Sequence, residues 1–193
     1  LTSVTISDGV KRIDNFAFSG CTGLKGNLVI PDSVTELGNY VFYECSGLDG
    51  TLTLSKNLKS IPQSAFDGCT GITGKLAVPD GVSKIENYAF GGLSKVESLV
   101  IGKEVKTIVT DSYYSKNPFY KMSGVEEIAF KSAEVPSLGY ADLFYSMNKL
   151  KTIYVPAESY DAYVSAFDKY KNKAVFSTDM LQSNIKNLTA CVR

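Results

Sequence analysis

The 193-residue sequence contains no histidine. That absence removes Ser-His-Asp and Cys-His nucleophile arrangements, histidine-bearing zinc sites and the side chain best suited to moving protons near neutral pH. A charge excess is missing too, because 20 basic and 20 acidic residues cancel. Without a single-sign field there is nothing to draw nucleic acid or anionic lipid, and neither is expected as a partner. No apolar run approaches the ~20 residues needed to span a bilayer, so no part of this chain is expected to insert in a membrane. The opening "LTSVTISDGV" lacks the basic stretch and apolar core of an export signal and reads as the inside of a folded unit.

What the sequence does have is a period. Cys21, Cys45 and Cys69 are each 24 residues apart, as are Phe18, Phe42, Phe66 and Phe90, and Leu93 stands where a fourth cysteine would fall. The words between them, "GLKGNLVIPDSVTELGNYVFYEC", "GLDGTLTLSKNLKSIPQSAFDGC" and "GITGKLAVPDGVSKIENYAFGGL", follow one template close to GLxGxLxIPxxVxxIxxxAFxxC. The start of the chain carries the same unit in "LTSVTISDGVKRIDNFAFSGC". Beyond residue 95 it continues as "VESLVIGKEVKTI" and, more loosely, as "VEEIAFKSAEVPSLGYADLFYSM" and "LKTIYVP", making about seven units.

One unit cannot fold by itself. Ordering its backbone costs on the order of 24–48 kcal/mol, while burying about eight apolar side chains returns only roughly 12–24 kcal/mol. Stacked copies must therefore share a core. Within each copy, Leu28-Val29-Ile30 alternates inward, outward, inward, as do Val4-Thr5-Ile6, Leu52-Thr53-Leu54, Leu76-Ala77-Val78 and Leu99-Val100-Ile101; these read as short parallel strands, one per coil. Pro31, Pro79 and Pro156 follow such strands and end the pairing. Val34 with Leu37, and Val82 with Ile85, supply a second inward pair, and "NYAF" with its relatives reads as a short helical or 3₁₀ turn carrying phenylalanine inward.

In such a stack, positions one period apart lie about one strand spacing, ~4.8 Å, from each other. Cys21, Cys45 and Cys69 then form a ladder of buried thiols. A zinc site is the weaker reading, since it needs four converging ligands at shorter spacings. A disulfide is weaker also, because stacked side chains point in parallel and hold their Cβ atoms farther apart than the ~3.8 Å a bridge prefers. Cys191 falls outside the register.

The order I-P, V-x-x-I, A-F and C at fixed offsets, as in "IPDSVTELGNYVFYEC", "VPDGVSKIENYAFGG" and "TISDGVKRIDNFAFSGC", resembles the BspA-like leucine-rich repeats of bacterial surface proteins. "TIYVPAESYDAYVSAF" is similar to the segment that commonly closes these arrays. The resemblance implies a right-handed leucine-rich-repeat solenoid with parallel strands on its concave face, short helical or 3₁₀ turns and a C-terminal helical cap. It divides the chain into repeats over 1–156, degenerate after 108, and a capping segment over 157–193. It further implies an exported, surface-displayed, bacterial adhesion protein with no catalytic residues and no cofactor. Departures stand out: Leu54-Ser55 lacks the usual proline, the cysteine position becomes Leu93, Met122 and Met147, and Ile108 is eleven residues from Phe119 where Ile85 is five from Phe90.

The outward strand positions are the candidate binding strip: Asn27 and Val29, Thr51 and Thr53, Lys75 and Ala77, Ser98 and Val100, Glu127, and Tyr154, with Ser3, Thr5, Ala129 and Thr152 beside them. Small and mostly uncharged, they suit an extended polypeptide or glycan. The insertion "VTDSYYSKNPF" adds Tyr113 and Tyr114, amphipathic rings of the kind favoured at recognition surfaces. "VPAESYDAYVSAFDKY" places Tyr160, Tyr163, Val164, Phe167 and Tyr170 at helical spacing after Pro156, as a lid for the last coil needs. Beyond it, Leu181, Ile185 and Leu188 keep a weaker helical pattern. Carboxylate-pair hydrolysis needs two converging acids, and Glu127 is the only one in the strip, so an enzyme is not expected. Asp8, Asp32 and Asp80 recur in the turns after strands, where stacking explains them. The expectation is a monomeric surface module that binds protein or glycan on a host or microbial surface; the alternative is a spacer that holds another domain away from the surface.

Overall fold

In a computed structural model, residues 1–110, 117–139 and 142–179 are described. The coils stack as the period requires. One side of the coils, called the first ladder, carries two parallel sheets in succession, β2 (Leu28–Val29) with β4 (Leu52–Thr53), then β6 (Thr73–Ala77), β8 (Lys95–Ile101), β10 (Glu127–Phe130), β12 (Thr152–Tyr154) and β13 (Val175–Ser177), while Val4-Thr5-Ile6 in the first coil forms no strand. The next side, called the second ladder, likewise carries β1 (Arg12–Ile13) with β3 (Glu36–Leu37), then a sheet of β5 (Ser60–Ile61), β7 (Lys84–Ile85), β9 (Thr107–Ile108) and β11 (Ser137–Leu138). Leu28 pairs with Leu52, Ile61 with Ile85 and Leu99 with Ile128, so identical template positions face each other.

The third side of each coil is a chain of turns, and it too is hydrogen-bonded from layer to layer. The amide of Phe18 donates to Val41, that of Phe42 to Ala65 and that of Phe66 to Ala89, at 2.8–2.9 Å. Turns along this side close with i→i+3 bonds, Tyr43 to Tyr40 and Asp67 to Ser64 among them. Two residues per coil lie in the left-handed region here, first Phe16 (φ 59°), Tyr40 (58°), Ser64 (50°) and Tyr88 (54°), then, four residues on, Gly20 (72°), Glu44 (54°), Gly68 (81°) and Gly92 (77°). Those reversals keep a 3₁₀ turn from lengthening into a helix. Gly47 and Gly71 are required by proximity: a Cβ on either would collide with the backbone of the coil before, at Thr22 and Leu48.

Inside, the repeated residues stack as rungs. Phe18, Phe42, Phe66, Phe90 and Phe119 lie ring over ring with centroids 5.0, 5.8, 5.8 and 6.3 Å apart and planes within 7°. Cys45 and Cys69 are fully buried free thiols and Cys21, in the first coil, is half-buried. Each buried thiol donates to the carbonyl of a phenylalanine one coil back, Cys45 to Phe18 (3.0 Å) and Cys69 to Phe42 (3.1 Å). The Cys69 thiol is pushed up, by its hydrogen bond with Cys45 first and by burial second, which keeps it protonated and unreactive. The thiol ladder is packing. Cys191 lies outside the described residues.

After the looser coils, Ser98 pairs with Glu127 and Thr107 with Ser137, so the coil carrying the insertion is longer yet stays in register on both ladders. Helix α1 (Tyr160–Ala166), flanked by 3₁₀ turns, then crosses the end of the stack. Tyr163, Phe167 and Tyr170 are buried against Phe130 and Phe144 with ring centroids 4.7–5.5 Å away. Tyr163 donates to the carbonyls of Ser132 (3.0 Å) and Glu134 (3.2 Å), and Lys173 donates to that of Phe144 (2.6 Å). Those are acceptors that a following coil would otherwise have to satisfy.

Candidate functional site

The outer face of the first ladder holds the residues expected to bind. They fall in two rows fixed by strand register. Lys75, Ser98, Glu127 and Thr152 are successive partners in one row, and Ala77, Val100, Ala129 and Tyr154 in the other. Val29 pairs with Thr53 at the N-terminal end of the second row. Tyr113 and Tyr114 lie outside the described residues.

Alignment is as the period dictates, but the two ends of the strip differ in exposure. Asn27, Val29, Thr51 and Thr53 are open to solvent, Val29 at 54%. Lys75 and Ala77 are half-buried. Further along, Ser98 (4%), Val100 (2%), Ala129 (0%) and Tyr154 (7%) are closed off. Val29 and Val100 are the same residue type at the same template position, so the local strand geometry cannot account for the difference.

Several of the strip's polar groups serve the stack. Asn27 Oδ1 accepts the Thr51 backbone N–H at 2.8 Å and the Thr51 hydroxyl at 3.1 Å, which makes it a rung between coils. Asn15 does the same for the backbone of Asn39 (2.8 Å), and Asn39 for that of Gln63 (3.2 Å). These asparagine rungs recur at the 24-residue step and were legible in the repeat, had its polar positions been read as carefully as its apolar ones. The recurrent turn acids are rungs as well. Asp32 accepts the Lys56 amide (3.0 Å) and Asp80 the Lys103 amide (3.2 Å). Asp80 also grips Lys131 Nζ at 2.7 Å through both oxygens, across two coils, in a largely buried pair.

Two groups remain chemically conspicuous. One oxygen of Glu127 is buried without a hydrogen-bond partner. Its row neighbours are Ser98 and Thr152, and its charge helps push the Tyr154 phenol up, after burial. On the turn side, Asp67 is raised to about 6, by burial first and by the charge of Glu44 second, with Lys121 opposing. A carboxyl whose folded value exceeds its unfolded one stabilises the fold fully below the unfolded value, and that contribution is lost as pH rises through about 6. Asp67→Asn should therefore raise the stability at pH 7.5 by on the order of 1 kcal/mol once solvent screening is allowed for, and the melting temperature with it. It should also flatten the stability profile between pH 4 and 7; a variant that melts like the parent at both pH values contradicts the assignment. Among the described residues no group of three or more histidines, cysteines or carboxylates converges to hold a metal ion.

A leucine-rich-repeat architecture with this template matches one family along nearly its whole length: the BspA type leucine rich repeat region aligns with residues 1–117 and 112–189. The chain belongs to that family. Among solved structures, a leucine rich cell surface protein of Faecalibacterium prausnitzii is similar at 27% identity and TM-score 0.58, over 68% of this chain and 32% of that one. Pneumococcal vaccine antigen PcpA shares the fold at 21% identity and TM-score 0.66, over 92% of this chain and 40% of its own. The T. pallidum leucine rich repeat protein shares it at 19% identity and TM-score 0.66, over 91% and 86%. The chain thus spans about a third of the Faecalibacterium protein and two fifths of PcpA. No curated protein is a significant match. No helix among the described residues is long and apolar enough to cross a membrane.

Proposed function

We propose that this BspA-type array is a non-catalytic adhesion module at the cell surface, outside the cell, that binds an extended protein or glycan along the open end of the outer strip. The observation that supports this reading is the set of exposed residues Asn27, Val29, Thr51 and Thr53 on a rigid ladder. Asn27 and the Thr51 hydroxyl bond to each other between coils, which leaves Val29, Thr53 and the acceptor side of the Thr51 hydroxyl to meet a partner. Val29 supplies apolar area and the threonine hydroxyls supply hydrogen bonds, at strand spacing along the strip. An extended chain laid across coils would find repeating, shallow, uncharged contacts, and many such contacts add up where single ones are weak.

A specific observation favours a second reading, the spacer. Ser98, Val100, Ala129 and Tyr154 of the strip are closed, and a scaffold that only holds another domain away from the surface needs no open face. Glycan arrays and pull-downs from host and microbial surface extracts, run with the parent chain and with a V29D/T53D double variant, separate the two. Binding by the parent that the double variant loses at least tenfold, with unchanged melting, is the expected result. Equal binding by both, or none by either, overturns the recognition role and leaves the spacer.

A further inference from the structure

The turn side of the coils carries six aromatic side chains that keep surface in solvent. Phe16 (57%) and Tyr145 (64%) stand exposed, and Tyr40, Tyr43, Tyr88 and Tyr120 are half-buried. Backbone bonds fix their places: the amide of Gly20 donates to Tyr43, that of Glu44 to Asp67, that of Gly68 to Gly91 and that of Gly92 to Tyr120. One template position therefore reads Tyr43, Asp67, Gly91, Tyr120 over successive coils, and a neighbouring one reads Phe16, Tyr40, Ser64, Tyr88. Rings gather on either side of a stretch that has none. Phe16 stacks on Tyr40 at 4.9 Å, Tyr40 meets Tyr43 edge-on at 5.6 Å, and Tyr88 meets Tyr120 edge-on at 5.7 Å. Gln63 donates to the Tyr40 hydroxyl at 2.8 Å. Rings held in this way have little freedom left to lose when a partner covers them.

Asp67 lies in the stretch without rings, its carboxylate resting on Gly91, where a Cβ would come within 2.5 Å of Asp67 Oδ1. Glu44, one coil before, is exposed. Asp32, Asp49 and Asp80 each accept an amide from a neighbouring coil and so tie the stack together. Asp67 and Glu44 bond only within their own coils, to the Gly68 amide and the Tyr43 phenol. Among the described residues neither takes part in an ion pair, and Lys121 opposes their charge only from farther off. Two carboxylates that hold no coils together, one of them ionised at a cost to the fold, thus stand amid an aromatic face. Stability given up at a surface position points to use of that position.

We propose that the turn side is a second recognition surface, for a protein that sets an arginine or lysine against Asp67 and Glu44 while its apolar surface covers the flanking rings. The uncompensated acids decide the class of partner. Neutral and acidic glycans bring no cation, whereas a guanidinium or ammonium answers carboxylate and tyrosine ring together. Tyrosine with small neighbours, here Ser46, Gly68 and Gly92, is also the composition of rigid protein-binding surfaces. The basic group fixes the register and the rings supply the area. This surface is separate from the strip, and its partner is independent of whatever the strip binds.

Selection of a phage-displayed library of random peptides on the parent chain, with the recovered sequences then titrated as synthetic peptides, is the test. Those sequences should be rich in arginine or lysine. Binding should weaken at least tenfold on the E44Q/D67N variant, and equally when the peptide's arginine is replaced by citrulline or its lysine by acetyl-lysine. E97Q/E104Q, which removes two exposed carboxylates elsewhere, should bind as the parent does. E44Q/D67N should melt no lower than the parent at pH 7.5, so that lost binding is not lost fold; should it melt lower, Glu44→Gln alone carries the comparison, with at least a threefold loss. Recovered peptides without a basic residue, equal affinity for the parent and E44Q/D67N, an equal loss on E97Q/E104Q, or no binder at all overturns the proposal. A chitosan oligosaccharide bound through the same two acids in place of any peptide also overturns it, by making the partner a basic glycan.

Discussion

Phe66→Ala is expected to destabilise the protein by about 3–5 kcal/mol, the range for removing a large buried aromatic, and to sit at the upper end of it. Phe66 is fully buried between Phe42 and Phe90, both 5.8 Å away and nearly coplanar. Deleting it strips a face from two other rings, each pair of which contributes roughly 0.5–1.5 kcal/mol beyond area burial. The void cannot close by collapse, because hydrogen bonds on all three sides of the coil hold adjacent layers at strand spacing: Phe42 to Ala65 and Phe66 to Ala89 on the turn side, with strand pairing on the two ladders. Phe16→Ala supplies the contrast. Phe16 stacks on Tyr40 at 4.9 Å but is 57% exposed, so its loss should cost about 1 kcal/mol or less. Urea unfolding followed by circular dichroism measures both; a Phe66→Ala cost near that of Phe16→Ala would mean that the rungs do not share one core.

That contrast shows why the fold was legible in the sequence. A repeat array reduces the folding problem to one coil and one step, and the step is written in the spacing of Phe18, Phe42, Phe66 and Phe90. Once the period is known, the strand register follows, since only equal template positions can face each other without exposing Leu28 or Leu52. The thiol ladder follows from the same rule. The turn side was harder to read. Phe16, Tyr40, Ser64 and Tyr88 adopt the left-handed region although none is glycine, so no residue type marks that reversal, and hydrogen bonds to the next coil hold them there.

The site was legible in its alignment and illegible in its exposure. Register fixes which side chains point outward, and they line up within each sheet, Val29 with Thr53 and then Ala77 through Tyr154. Whether an outward residue is open depends on what lies above the sheet, and no periodicity in the strands carries that. Val29 and Val100 have indistinguishable local sequence roles and opposite environments. Asn27, just before β2, has a use that the alternation does not carry, because its side-chain oxygen accepts from Thr51 in the next coil.

Phe167→Asp is expected to have the second large effect, and one of a different kind. Phe167 is fully buried with Phe130, Phe144, Tyr163 and Tyr170 around it. An aspartate there would be ionised with no cation among those rings, at a cost of several kcal/mol, and the cheaper course is for the helix to leave. Its departure uncovers Phe144 and frees the carbonyls that Tyr163 and Lys173 now satisfy. Because the strand pairing and ring stacking run between adjacent coils, the damage should spread inward from the C-terminal end and fade. The expected signature is thus a broadened, two-step urea transition with a lowered slope in its first step, while Cys45 and Cys69 stay slow to label until the second. Phe167→Leu, which keeps the apolar contact, should retain one transition with a loss of about 1–2 kcal/mol. A single sharp transition for Phe167→Asp within 1 kcal/mol of the parent would show that the end of the array is held by something other than this helix. If Cys69 instead became reactive in the first step, the coils would be cooperating over the whole stack, and nearest-neighbour coupling would not describe it.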